Sequence, residues 1–130
     1  LTTAPAVHTA GSLHIKIYDP KTNAAVVYSG DTAPSQHLVA LARHADLLIC
    51  ECAGSDHAPI KGHMTPKALR ELVDAAQPKK IWVTHLYPSV TETDLTQALA
   101  GIHIPWCRPK DLQQWTYSHS IVAGGFDEIS

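Results

Sequence analysis

The nine histidines of this chain never stand two residues apart, so no His-x-His pair can chelate an ion from one face of a strand. Basic residues are sparse and scattered, 10 Lys and Arg against 12 Asp and Glu for a net charge of −2, with no cluster among them. That removes the electrostatic footprint expected of a surface that grips a nucleic-acid duplex or an anionic membrane, while leaving room for a small site that handles one phosphate. No apolar run approaches the ~18 residues that span a bilayer, and the N-terminus has neither the basic start nor the apolar centre of a secretory signal. The three cysteines are an odd set. Cys50 and Cys52 would share one face of a strand, which disfavours a disulfide framework and points to small buried residues in a reduced, cytoplasmic chain. Methionine occurs once, at Met64, while position 1 is Leu1, so residues are expected to precede this sequence.

What is present suits a single domain over residues 1–130: 45% of residues are hydrophobic and 17% charged, enough to bury a core. Leu13, Ile15 and Ile17 alternate with His14, Lys16 and Tyr18, which predicts a strand with one buried apolar face. The turn residues from Asp19-Pro20 to Asn23 return it as a hairpin through Ala24 to Tyr28. Leu38, Leu41, Ala42 and Ala45 take helical spacing after Ser35. A strand follows from Asp46 to Cys52. Thr65 as N-cap with Pro66 at the first helical position opens a second helix that Pro78 ends. Lys80 to Thr84 give another strand, and Thr91 starts a third helix that stops near Gly101. Pro105 and Pro109 predict a loop, and Ile121 to Ser130 a last strand.

This order describes an α/β fold with one mixed sheet and helices on one face. The strands Leu47-Leu48-Ile49 and Ile81-Trp82-Val83 are apolar without alternation, which predicts burial on both faces. A second layer is therefore expected, from a missing N-terminal half or from a second copy in a homodimer, with Trp82 at that interface.

Asp31 follows one strand and His85 another, so both sit at strand ends on one edge of the sheet, where open α/β sheets place their sites. His8 precedes the hairpin and can reach the same edge. A carboxylate can bridge two divalent ions while each imidazole takes one. The competing readings are ordinary ones: a turn aspartate bonding its own backbone, and polar residues closing strands. His14, His37, His44, His57, His103 and His119 are read as mostly solvated residues with no role in the site.

The ordered set Val7-His8-Thr9-Ala10-Gly11-Ser12, Val27-Tyr28-Ser29-Gly30-Asp31-Thr32, Ala45 to Glu51, Gly62-His63-Met64-Thr65 and Val83-Thr84-His85-Leu86-Tyr87-Pro88 resembles the C-terminal half of the metallo-β-lactamase-fold hydrolases, in their ribonuclease Z-like branch. The resemblance implies half of an αββα sandwich, with His8 and His85 each on one zinc ion, Asp31 bridging two, and His63 beside them as proton donor to the leaving group. Glu51 is a plausible orienter of His63. The implied substrate is a small-molecule ester or lactone, or a phosphodiester; the charge balance gives no support for nucleic acid. That family's His-x-His-x-Asp-His segment, which supplies most of its metal ligands, is missing here. Hydrolysis is therefore expected to need that segment from elsewhere, with metal weak or absent on this chain alone. The alternative is a non-catalytic half-fold that self-associates through an uncovered sheet face.

Overall fold

The computed structural model describes residues 1–118. One six-stranded sheet runs through them in the order β1 (Thr2–Pro5), β2 (Leu13–Asp19), β3 (Ala24–Tyr28), β4 (Leu47–Glu51), β5 (Ile81–Thr84) and β6 (Trp106–Cys107). The first three strands are antiparallel neighbours and the last four are parallel. Three helices connect the parallel part: α1 (Gln36–Ala42), α2 (Pro66–Ala76) and α3 (Glu92–Ala98). The strand predicted at residues 121–130, like His119, lies outside the described residues.

The helix ends follow from their capping residues. Ser35, Thr65 and Thr91 each accept the backbone N–H three residues on, meeting a donor that would otherwise lack a partner. Pro66 has no N–H to leave unmet. Gln77 ends α2 in the left-handed conformation and donates its N–H to the Val73 carbonyl. Thr91 and Asp94 close a reciprocal capping box.

The core lies between the helices and one face of the sheet: Val27, Leu48, Cys50, Ile81 and Val83 pack with Leu38, Leu69, Val73 and Leu95. Burial pushes the Cys50 thiol up to about 12 and that of Cys52 higher still, so neither is a thiolate at neutral pH. Among the described residues, no helix is long and apolar enough to cross a membrane.

Among the described residues, no helix packs on the opposite face. The registers align Ile15, Tyr28, Ile49, Trp82 and Cys107 in a row across five strands on that side. Here the structure inverts one expectation. Leu13 and Ile17 of β2 are 45% and 58% exposed, whereas His14, expected to be solvated, is fully buried. The alternation was read correctly, but the apolar side of β2 belongs to the open face and its polar side turns to α1. Two further strands were missed. β1 is short and ends on a proline, and β6, placed where a loop was expected, is two residues long. Neither is long enough to show a period.

Candidate functional site

The parallel strands β3, β4 and β5 end at one edge, and the segments that follow them meet the β1–β2 connection there. That connection carries His8 and is folded on itself by Ala6 N–H to the Ser12 carbonyl and Ser12 N–H to the Thr9 carbonyl. It is tied to the Asp31 segment at one point: Val7 donates its N–H to Thr32 Oγ1 and accepts the Ala33 N–H on its carbonyl, at 3.0 and 2.8 Å. The strain of the turn is absorbed by Gly30, at φ +59°, where a Cβ would stand 2.6 Å from the Leu13 carbonyl oxygen.

Asp31 presents its two carboxylate oxygens to different imidazoles. Oδ2 faces His8 Nε2 at 4.0 Å and Oδ1 faces His85 Nε2 at 3.9 Å. These separations exceed hydrogen-bonding distance. His8 has its tautomer set from behind, because Nδ1 donates to the Gly62 carbonyl at 3.0 Å and leaves the Nε2 lone pair toward Asp31. His85 stands just past the end of β5 at φ +52°, a left-handed conformation costly for a residue with a Cβ.

His63 completes the group. One ring nitrogen of it lies within 4.8 Å of ligand atoms of His8 and Asp31. Its ring stacks on His85 with centroids 5.6 Å apart and meets His8 edge-on at 4.8 Å. Its Nδ1 bonds Glu51 Oε1 at 2.8 Å. Glu51 is buried, and both its oxygens are engaged: Oε1 also accepts the Thr32 N–H, and Oε2 accepts the N–H groups of Ala53 and Met64. A carboxylate that accepts four N–H groups is held in a fixed geometry.

The structure thus brings His8, Asp31, His63, Glu51 and His85 to one edge. Reading the residues alone missed Thr32, whose backbone and hydroxyl join the His8, Asp31 and Glu51 segments, and Tyr87, whose exposed ring lies 5.3 Å from that of His85. Backbone ties of the Thr32 kind leave no pattern in a sequence. An aromatic residue two positions after a strand-end histidine was the available signal for Tyr87.

The donor set fits a divalent ion of the zinc type. Imidazole and carboxylate are its ordinary ligands, and the gaps of 3.9 and 4.0 Å leave room for an ion with bonds of about 2.0–2.2 Å to each side.

Comparisons with known proteins bear on the family and the fold. Residues 1–86 match the model of the beta-lactamase superfamily domain. A ribonuclease Z from Brevibacillus brevis is 34% identical over 80 residues, covering 58% of this chain and 25% of that protein. A ribonuclease Z from Methanothermobacter thermautotrophicus is 38% identical over 80 residues, covering 58% and 26%. The metallo-beta-lactamase fold protein YhfI from Bacillus subtilis superposes with a TM-score of 0.74 at 22% identity, over 84% of this chain and 46% of that one. A long form RNase Z from yeast superposes at 0.63 and 24% identity, over 84% and 16%. The chain spans about a quarter of the length of these two curated relatives, and its architecture is about half of a metallo-β-lactamase fold. With the family model matched along most of the described residues, the chain belongs to the beta-lactamase superfamily domain family.

Proposed function

We propose that this chain supplies the C-terminal half of a metal-dependent hydrolase site, in which His8, Asp31 and His85 hold zinc and the His63–Glu51 pair handles a proton. The observation that carries the reading is that two imidazoles converge on opposite oxygens of one carboxylate, in the way a bridge between two ions requires. Three such ligands divided between two ions fall short of the three or four that each needs. The remaining ligands come from a His-x-His-x-Asp-His segment on another polypeptide stretch, packed on the open face of the sheet.

Zinc at such a site supplies Lewis-acid charge that polarises an ester oxygen and acidifies water. The chain's own part is proton delivery. Glu51 holds the Nδ1–H of His63, so Nε2 is the nitrogen that gains and releases a proton, and the buried carboxylate stabilises the ring while it is charged. That suits donation to a leaving oxygen. The relatives named ribonuclease Z favour a phosphodiester, and RNA in particular, over a carboxylic ester or lactone. The charge of −2 assigns any wider grip on a polyanion to the other half.

A second reading is favoured by the row Ile15, Tyr28, Ile49, Trp82 and Cys107 on the face without helices: a non-catalytic half-fold that pairs with its own copy there. Zinc content and solution mass, measured together on the purified chain, separate the two. The hydrolase reading expects weak zinc binding by the chain alone, which Asp31→Ala weakens further by at least about tenfold. Equal zinc binding by the variant would overturn the bridging role, and a metal-free dimer would favour the second reading.

A further inference from the structure

The segment that carries Asp31 runs from the end of β3 to the start of α1, and both its ends meet one side chain. His14 Nδ1 lies 2.6 Å from the Ser29 carbonyl oxygen, and His14 Nε2 lies 2.9 Å from Ser35 Oγ. We propose that the His14 imidazole is a positioning residue for Asp31, a two-point clamp that closes the segment from Ser29 to Ser35 and so sets where the carboxylate stands. The proposal rests on the reading of Asp31 as a metal ligand.

For the neutral ring the hydrogen-bond chemistry admits a single arrangement. A carbonyl oxygen can only accept, so Nδ1 carries the proton. The neutral ring then offers its Nε2 lone pair, which the Ser35 hydroxyl must donate to. Ser35 Oγ in turn accepts the Leu38 N–H, the cap of α1. Each atom along the path from Ser29 to Leu38 therefore has one role, and the tautomer of His14 is fixed from both sides. Burial of the ring favours the neutral form that this path requires.

The Ser29 end matters most for Asp31. β3 ends at Tyr28, and the Ser29 carbonyl is a buried acceptor that finds its partner in a side chain. Ser29 also donates its N–H to the Ile49 carbonyl, and its hydroxyl donates to the Gly30 carbonyl while accepting the Glu51 N–H. Asp31 follows after the single left-handed residue Gly30. On its far side the Thr32 N–H is held by Glu51. Remove His14 and the near end of this bracket is left with a buried, unmet carbonyl that only a backbone shift can satisfy. The shift would pass to Asp31 through one residue.

Three variants dissect the clamp. His14→Phe fills the space but holds neither end. His14→Asn keeps a donor near the Nδ1 position, and His14→Gln keeps a polar group near the Nε2 position. Zinc affinity is titrated at pH 7.5 for the wild type, the three variants and Asp31→Asn, with folding verified by circular dichroism, and amide hydrogen exchange is followed at Gly30 and Asp31. The clamp predicts zinc binding weakened about tenfold or more in His14→Phe, and partly restored in His14→Asn but not in His14→Gln. It also predicts metal-free exchange at Asp31 faster by about tenfold in His14→Phe. If His14→Phe does not fold, the contrast between the Asn and Gln variants decides. Unchanged exchange and zinc affinity in folded His14→Phe, or equal behaviour of Asn and Gln, would overturn the clamp. Wild-type zinc binding by Asp31→Asn would overturn the metal reading instead, and the exchange rates would still report on the clamp by themselves.

Discussion

The two parts of the site are built on opposite plans. His63 and Glu51 expose 8% and 2% of their side chains and share a 2.8 Å hydrogen bond. His8, Asp31 and His85 expose 24%, 38% and 38%, and Asp31 lies 4.0 Å from His8 and 3.9 Å from His85. In the buried pair every carboxylate oxygen is satisfied by this chain. In the open trio the side-chain atoms that face one another are too far apart to hydrogen-bond. The pair is part of the framework, and the trio is an assembly of ligands that the framework presents.

Glu51→Ala would break that contrast most severely. It strips a partner from the N–H groups of Thr32, Ala53 and Met64 and from His63 in one step, so a loss of about 3–5 kcal/mol in urea unfolding is expected. Glu51→Gln, which keeps one acceptor oxygen, should lose less. A loss below about 1 kcal/mol for Glu51→Ala would mean that the pair is not framework.

Gly62→Ala strikes a residue that joins the two parts, since Gly62 precedes His63 and its carbonyl orients His8. Its φ is +81°, and a Cβ there would lie 2.7 Å from His8 Nδ1. A cost of about 1–3 kcal/mol is expected, together with weaker zinc binding. Unchanged zinc affinity would show that His8 does not depend on this contact.

Acidification sharpens the comparison from the side of the framework. Burial, with a smaller contribution from the nearby His37, holds His14 below the usual histidine value, against the hydrogen bond to Ser29, which favours the proton. Its folded form therefore favours the neutral ring, so its share of stability is complete above about pH 6.5 and falls as the pH drops below that, where the unfolded chain takes up the proton first. Melting temperatures measured from pH 7.5 down to 5 should decline, and more shallowly in His14→Phe. Parallel declines would exclude His14 as a source.

The smallest expected effect is that of Asp31→Ala on stability in the absence of metal, within about 0.5 kcal/mol, because the carboxylate is open and forms no hydrogen bond within the trio. A larger loss would place Asp31 in the framework.

Much of this layout was legible in the sequence because it rests on local chemistry. Ser35, Thr65-Pro66 and Thr91 announce helix starts, and Asp31 and His85 stand where strands stop, so a shared edge follows from the α/β pattern. The role of His63 came from the resemblance, while Glu51 as its orienter was read from the chemistry of a carboxylate beside an imidazole. What resisted reading was non-local. The period of β2 was plain, but a period does not say which face the helices cover, and so His14 was placed in solvent. The junction of Val7 with Thr32 and Ala33 runs through backbone atoms that any residue supplies. β1 and β6 are held by their neighbours more than by their own residues.

The order of the strands has a further consequence. From β1 to β6, each strand hydrogen-bonds to the one just before it in the sequence, so no strand has to wait for a distant partner. Such a sheet can grow vectorially, each new strand docking on an edge already in place as the chain leaves the ribosome. The three segments that bear Asp31, His63 and His85 would then be delivered to the edge in that order, with His8 waiting from the first hairpin.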